Sequence, residues 1–140
     1  MALKTYAGTC HCGSIRFEAD LDLAAGTVKC NCSSCTKARS WLIFVAANRF
    51  RLVAGEESQR NYQWTPAGRP GPTVEYHFCD RCGIRTPASG NIEALGGAVY
   101  AIQVLLLDGV DPEELAQAPM RYVDGRHDRF DRTPADIRFL

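Results

Sequence analysis

Three cysteines fall within six residues in Cys30-Asn31-Cys32-Ser33-Ser34-Cys35, close enough to converge on one metal ion and odd in number, so they cannot pair off among themselves. Zinc takes four ligands in a tetrahedron. A site with three protein thiolates leaves one position for water, substrate or a distant side chain, which is how catalytic zinc differs from structural zinc. The other four cysteines form Cys10-His11-Cys12-Gly13 and Cys79-Asp80-Arg81-Cys82-Gly83, each pair followed directly by glycine. Glycine tolerates the positive φ that turns a knuckle's backbone N–H groups toward metal-bound sulfurs. Thr36, not glycine, follows Cys35. The seven cysteines therefore read as a closed site of Cys10, Cys12, Cys79 and Cys82 and an open site of Cys30, Cys32 and Cys35. Two zinc ions per chain, one structural and one catalytic, is the favoured reading. A single zinc with the triple cluster empty or redox-active, disulfides, or another metal are the alternatives.

The elements that must position these clusters are short and mostly β. Ser14–Asp20 alternates apolar Ile15, Phe17 and Ala19 with polar partners, as a strand with one buried face does. A loop and a short extended piece lead into the triple cluster. Trp41–Ala46 and Phe50–Val53 read as two adjacent strands, and Asn61–Trp64 as another short one. The prolines and glycines of Pro66–Pro72 demand a surface loop. Val74–Cys79 alternates again and places Glu75, His77 and Cys79 on one face. Ser89–Gly97 reads as a glycine-interrupted connection and Ala98–Leu107 as a central strand. Asp111, Pro112 and the two glutamates after them start one short helix. The alternating arginines and aspartates after Pro119 are expected to form a solvated charged tail, residues 120–140, on a single domain spanning 1–140.

Composition narrows the function classes. Charge is balanced, with 16 basic and 16 acidic residues, so no general field attracts nucleic acid or anionic lipid. A hydrophobic content of 46% with 23% charged residues is that of a globular chain and excludes disorder as its state. The first residues lack an apolar run of signal-peptide length, and the expected location is cytoplasmic.

The order C-x-C-G, then C-x-C-x-x-C-x-K, then F-C-x-x-C-G resembles the glutathione-dependent formaldehyde-activating enzyme family, which includes the centromere protein V relatives. The resemblance runs from Gly8 to Pro119, with Val104–Asp108 and Pro112 similar to the family's late strand, turn and proline. It implies folded-over β-sheets of the β-tent type, stabilised by zinc. It implies that Cys10, Cys12, Cys79 and Cys82 hold a structural zinc and that Cys30, Cys32 and Cys35 hold a catalytic one. The implied activity is that of a carbon–sulfur lyase acting on a thiol–aldehyde adduct: S-hydroxymethylglutathione from glutathione and formaldehyde, or a related pair. Lys37 and Arg39 are then candidates to meet glutathione carboxylates. The chain departs from the family's usual pattern at Asn31, where histidine is usual, at Thr36 and at Ser40-Trp41.

A different class competes. In a non-catalytic, zinc-stabilised module for a protein or nucleic-acid partner, both metals would be structural. That reading requires a fourth protein ligand at the triple cluster, with His77 or His127 as candidates.

Overall fold

In strand β2 (Arg16–Leu21), Phe17, Ala19 and Leu21 are buried while Arg16, Glu18 and Asp20 turn outward, as the two-residue period of a strand requires. The computed structural model describes residues 2–140. Strand β2 pairs antiparallel with β1 (Lys4–Thr9) on one side and β5 (Phe50–Ala54) on the other, giving a three-stranded sheet. On its outer face Arg51 and Thr5 both reach the Asp20 carboxylate. Its inner face packs on a larger sheet.

That second sheet has seven strands. Their order is β10 (Met120–Val123), β3 (Thr27–Cys30), β4 (Leu42–Ala46), β9 (Gly97–Gln103), β8 (Arg85–Ile92), β7 (Val74–Cys79) and β6 (Gln59–Gln63). All neighbours are antiparallel except β10 and β3. Between the sheets, Tyr6, Phe17, Ala19 and Leu21 meet Ile43, Val45, Ile102 and Val104 in one buried cluster. Removing this apolar surface from water is the main force holding the sheets face to face. Phe50 bridges them, stacked on Phe17 and on Tyr100 with centroids 5.7 and 3.9 Å away.

Two α-helices complete the described residues, α1 (Ser33–Ala38) and α2 (Pro112–Gln117), together with short 3₁₀ turns. Helix α2 begins where Asp111 and Pro112 predict, with the Asp111 carboxylate capping the Glu113 N–H at 2.8 Å. No helix among the described residues is long and apolar enough to cross a membrane.

The mostly β, folded-over architecture matches the expectation, but several elements differ from their sequence reading. A second helix, α1, grows out of the triple cluster. Strand β1 has no counterpart in that reading. Strands β4 and β5 are consecutive but belong to different sheets, because a 3₁₀ turn at Ala47–Arg49 carries the chain across. Strand β8 extends to Ile92 through the supposed connection, since Ser89, Gly90, Asn91 and Ile92 all pair with β9. The supposed central strand ends at Gln103, and Val104–Leu106 is a 3₁₀ turn. The segment expected as a solvated tail enters the fold: β10 pairs with β3, and Val123 and Asp124 are buried.

Candidate metal centres

The two glycine-ended cysteine pairs fold as variants of one turn. The N–H of Cys10 donates to the Ile15 carbonyl at 3.1 Å and that of Cys79 to Ile84 at 3.0 Å, five residues on in both. Gly13 and Gly83 return N–H bonds to the carbonyls of Cys10 and Cys79, at 3.2 and 2.8 Å. Closing these turns takes φ of +80° and +74°, values open to glycine at little cost. The Ile15 and Arg81 N–H groups then point at the sulfurs of Cys10 and Cys79, at 3.3 and 3.4 Å.

Both turns bring their thiols to one place. The four Sγ atoms lie within 4.8 Å of one another. Cys12 Sγ is 3.7 Å from Cys10 Sγ and 3.7 Å from Cys79 Sγ. A disulfide would need about 2.05 Å, whereas a tetrahedron with zinc–sulfur bonds of ~2.3 Å has edges of about 3.8 Å. The donor set therefore fits zinc. Cys10 and Cys79 are buried against Ile15, and Cys12 is exposed. The Ser14 hydroxyl, 3.1 Å from Cys12 Sγ, is the main cause that brings the Cys12 thiol down to about 6.

The triple cluster is built differently, from one continuous stretch. Strand β3 ends on Cys30. Cys32 is the N-cap of α1, its sulfur accepting the Cys35 N–H at 3.4 Å, and the Cys32 N–H points at Cys30 Sγ at 3.4 Å. Cys35 lies inside the helix and is buried. Again the sulfurs fall within 4.8 Å of one another. The three thiols are unequal in the absence of a metal. Hydrogen bonds from Cys30 and then Cys35 bring the Cys32 thiol down to about 2, while Cys35's own bonds to Cys30 and then Cys32, with burial, push it far up. Cys30 is raised, mainly by its bond to Cys32. A soft dication relieves this frustration by favouring all three thiolates at once, so this donor set also fits zinc.

Residues 123–132 cover one side of the cluster. The Asn31 amide, between two of the thiols, donates to the buried Asp124 carboxylate at 2.9 Å and accepts the Arg126 N–H at 2.9 Å. Arg132 and His127 also hold Asp124. The Asp124 carboxyl is thereby kept down at about 2, with the Asn31 bond its largest cause. Gly125 lies so close that a β-carbon there would sit 2.3 Å from Cys30 Sγ. The proline-rich loop reaches the same cover through an Arg69–Asp128 ion pair.

Strands β7 and β8 also reach the cluster. Their register slips between Glu75 and His77, so Pro87 and Ala88 together oppose Tyr76. Proline, without an N–H, suits such a bulge, and bulges re-aim side chains. The Tyr76 phenol lies near Ser34 and near the charges of Cys35 and Cys32, and is raised chiefly by burial. Arg85 Cζ is 4.5 Å from the Tyr76 ring centroid, and its Nη1 donates to Ser34 Oγ at 2.9 Å.

The other candidates from the sequence are placed as follows. Lys37 is exposed on α1. Arg39 is exposed at the helix end and donates to the Phe139 carbonyl at 3.0 Å. His77 is buried with both ring nitrogens engaged, Nδ1 at 2.7 Å from Asn61 Oδ1 and Nε2 at 2.9 Å from Ser89 Oγ. Nδ1 of His127 is engaged by Asp124. Neither histidine joins the group of converging thiols. Trp41 and Phe44 are half-buried, and Trp41 bonds Thr27 through its indole N–H, a packing role. Tyr76, Arg85, Asp124 and Gly125 surround the cluster without having been singled out by sequence reasoning. Crowding at Gly125 and the burial of Asp124 mark two of them, and both are properties of the folded chain.

A solved structure of a Rhodobacter sphaeroides protein superposes with a TM-score of 0.65 at 29% sequence identity, covering 82% of this chain and 99% of that one. The family model of the glutathione-dependent formaldehyde-activating enzymes matches residues 5–123, from the first strand to the end of β10. By that match the chain belongs to the glutathione-dependent formaldehyde-activating enzyme family.

Proposed function

We propose that the protein is a carbon–sulfur lyase whose three-thiol site joins a thiol to a small aldehyde and, in reverse, cleaves that adduct back to thiol and aldehyde. Glutathione and formaldehyde are the pair the family suggests. The observation that carries the reading is the convergence of Cys30, Cys32 and Cys35 while both nitrogens of His77 are committed elsewhere, which leaves a tetrahedral donor set one short. Bound zinc would supply the charge that keeps an incoming thiol deprotonated yet nucleophilic.

The chain's own residues do the rest. Cys30, Cys32 and Cys35 hold the site, fixed by N–H groups of Cys32 and Cys35. The 123–132 segment covers the cluster at Gly125 and Asp124, and Ser34, Tyr76 and Arg85 stand beside it. In the forward direction the substrate sulfur attacks the aldehyde carbon, a C–S bond forms and the carbonyl π pair moves to oxygen. The proton given up by the thiol ends on that oxygen as the hydroxyl of the adduct. Formaldehyde and thiols also react unaided, so the demand on the protein is positioning and holding the thiolate form.

The test is adduct formation from glutathione and formaldehyde, followed by NMR beside the buffer reaction. Wild-type protein should exceed the buffer rate and Cys32→Ser should fall back to it. Equal rates for the two proteins would overturn the reading.

A further inference from the structure

We propose that Arg85 is a carboxylate-binding subsite beside the triple cluster, so that the preferred thiol carries a carboxylate within reach of its own sulfur. This rests on the reading of that cluster as the place where a thiol reacts.

Among the described residues, Arg51, Arg60, Arg69, Arg129, Arg132 and Arg138 all have carboxylate partners. The arginines without one are exposed, except Arg85, which is half-buried on β8. A partly desolvated guanidinium with no carboxylate partner in the fold keeps donors open to a carboxylate ligand. Arg85 is also fixed in place. Its guanidinium stacks on Tyr76, whose position the β-bulge sets, and one of its five N–H donors holds Ser34 Oγ at 2.9 Å. The remaining donors suit the bidentate recognition of a carboxylate.

Location supplies the rest of the argument. Ser34 lies between Cys32 and Cys35 in sequence, so the bond to its hydroxyl puts the guanidinium within about one helical turn of the thiols. A thiolate cluster repels an anionic substrate, and a fixed cation at its margin lets one approach. Lys37 and Arg39 are exposed, and Arg39 is taken up by the Phe139 carbonyl. Arg85 is the cation that the fold pre-organises.

The experiment uses ω-mercaptocarboxylic acids of increasing chain length, each beside its own primary amide, with the full-length zinc-loaded protein. Binding is measured by isothermal titration without aldehyde, and adduct formation is measured separately. At one or more chain lengths the wild type should bind and turn over the acid about 10- to 100-fold better than its amide. In Arg85→Gln the acid-to-amide ratio should fall to about one, and Arg85→Lys should retain part of the preference. Acid and amide bound equally by the wild type at every length would overturn the subsite, as would a preference that survives in Arg85→Gln. The wild-type comparison needs no variant to fold. Acid-selective binding lost in Arg85→Gln, without acceleration of any thiol, would uphold the subsite and overturn the proposed reaction. Acceleration of acids and amides alike would do the reverse.

Discussion

The two thiol clusters are assembled from the chain in opposite ways. The four-thiol site ties two turns that are 67 residues apart in the chain, and its Cys10 and Cys79 are embedded beside Ile15 in the protein interior. The three-thiol site draws on one stretch of six residues and is covered from outside by segments that arrive later in the chain. A cluster that joins distant segments acts as a clamp on the fold. A cluster made locally ties no distant segments together.

The largest effect should come from breaking the clamp. Structural zinc in small domains contributes about 10–16 kcal/mol, comparable with the whole stability of a domain, about 5–15 kcal/mol. Cys79→Ala should therefore unfold the protein, seen as loss of near-UV circular dichroism and of a cooperative melting transition. An unchanged melting temperature would remove the contrast between the clusters.

Cys32→Ser tests the other side of the comparison. It should lower zinc per chain from two to one by elemental analysis while near-UV circular dichroism stays native. Unfolding of this variant would mean that the local cluster is also a clamp.

Gly125→Ala should do less than either. Its added methyl would lie 2.3 Å from Cys30 Sγ and 3.2 Å from a Phe130 ring carbon, so either the thiol or the covering segment must move. Overpacking of this kind costs about 1–3 kcal/mol. The expected result is a folded protein with a drop in kcat/KM of tenfold or more and weakened retention of the second metal under dialysis against chelator. Normal kcat/KM would show that the cover has room to shift without disturbing the thiols.

How much of this was legible in the sequence follows from the same contrast. The glycines after Cys12 and Cys82 announce their turns, because positive φ at a fixed place is a local requirement. The alternation in Val74–Cys79 and the Asp111-Pro112 start of α2 are local too, and both elements form as read. What the sequence hid is set by partners far along the chain. Arg121 to Arg132 reads as solvated because its charges alternate, yet the segment folds on Asn31, whose amide satisfies Asp124 from 93 residues away. Helix α1 was hidden for another reason. Cysteine is a poor helix former, and here a thiol takes the N-cap place usually held by Ser, Thr, Asp or Asn. Strand β8 carries a proline and a glycine, residues that argue against a central strand until the bulge opposite Tyr76 is seen.

The smallest effect should separate the cover from the cluster it covers. At neutral pH the Asp124 carboxylate is fully ionised, being held at about 2, so replacing it by asparagine removes a charge while keeping nearly the same shape. Arg132 then loses its anionic partner, and Asn31 keeps an acceptor only if the new amide presents its oxygen. The backbone bonds from Asp124 N–H to the carbonyls of Arg129 and Arg132 do not depend on the side chain, nor does the pairing of β10 with β3. Asp124→Asn should therefore loosen residues 125–132 locally and leave the sheets and the four-thiol clamp alone. Hydrogen exchange should quicken for amides of that segment, with protection in β7 and β9 unchanged and the melting temperature nearly so. Equal loss of protection in β7 and in the cover would make the two clusters one cooperative unit and dissolve the distinction between clamp and site.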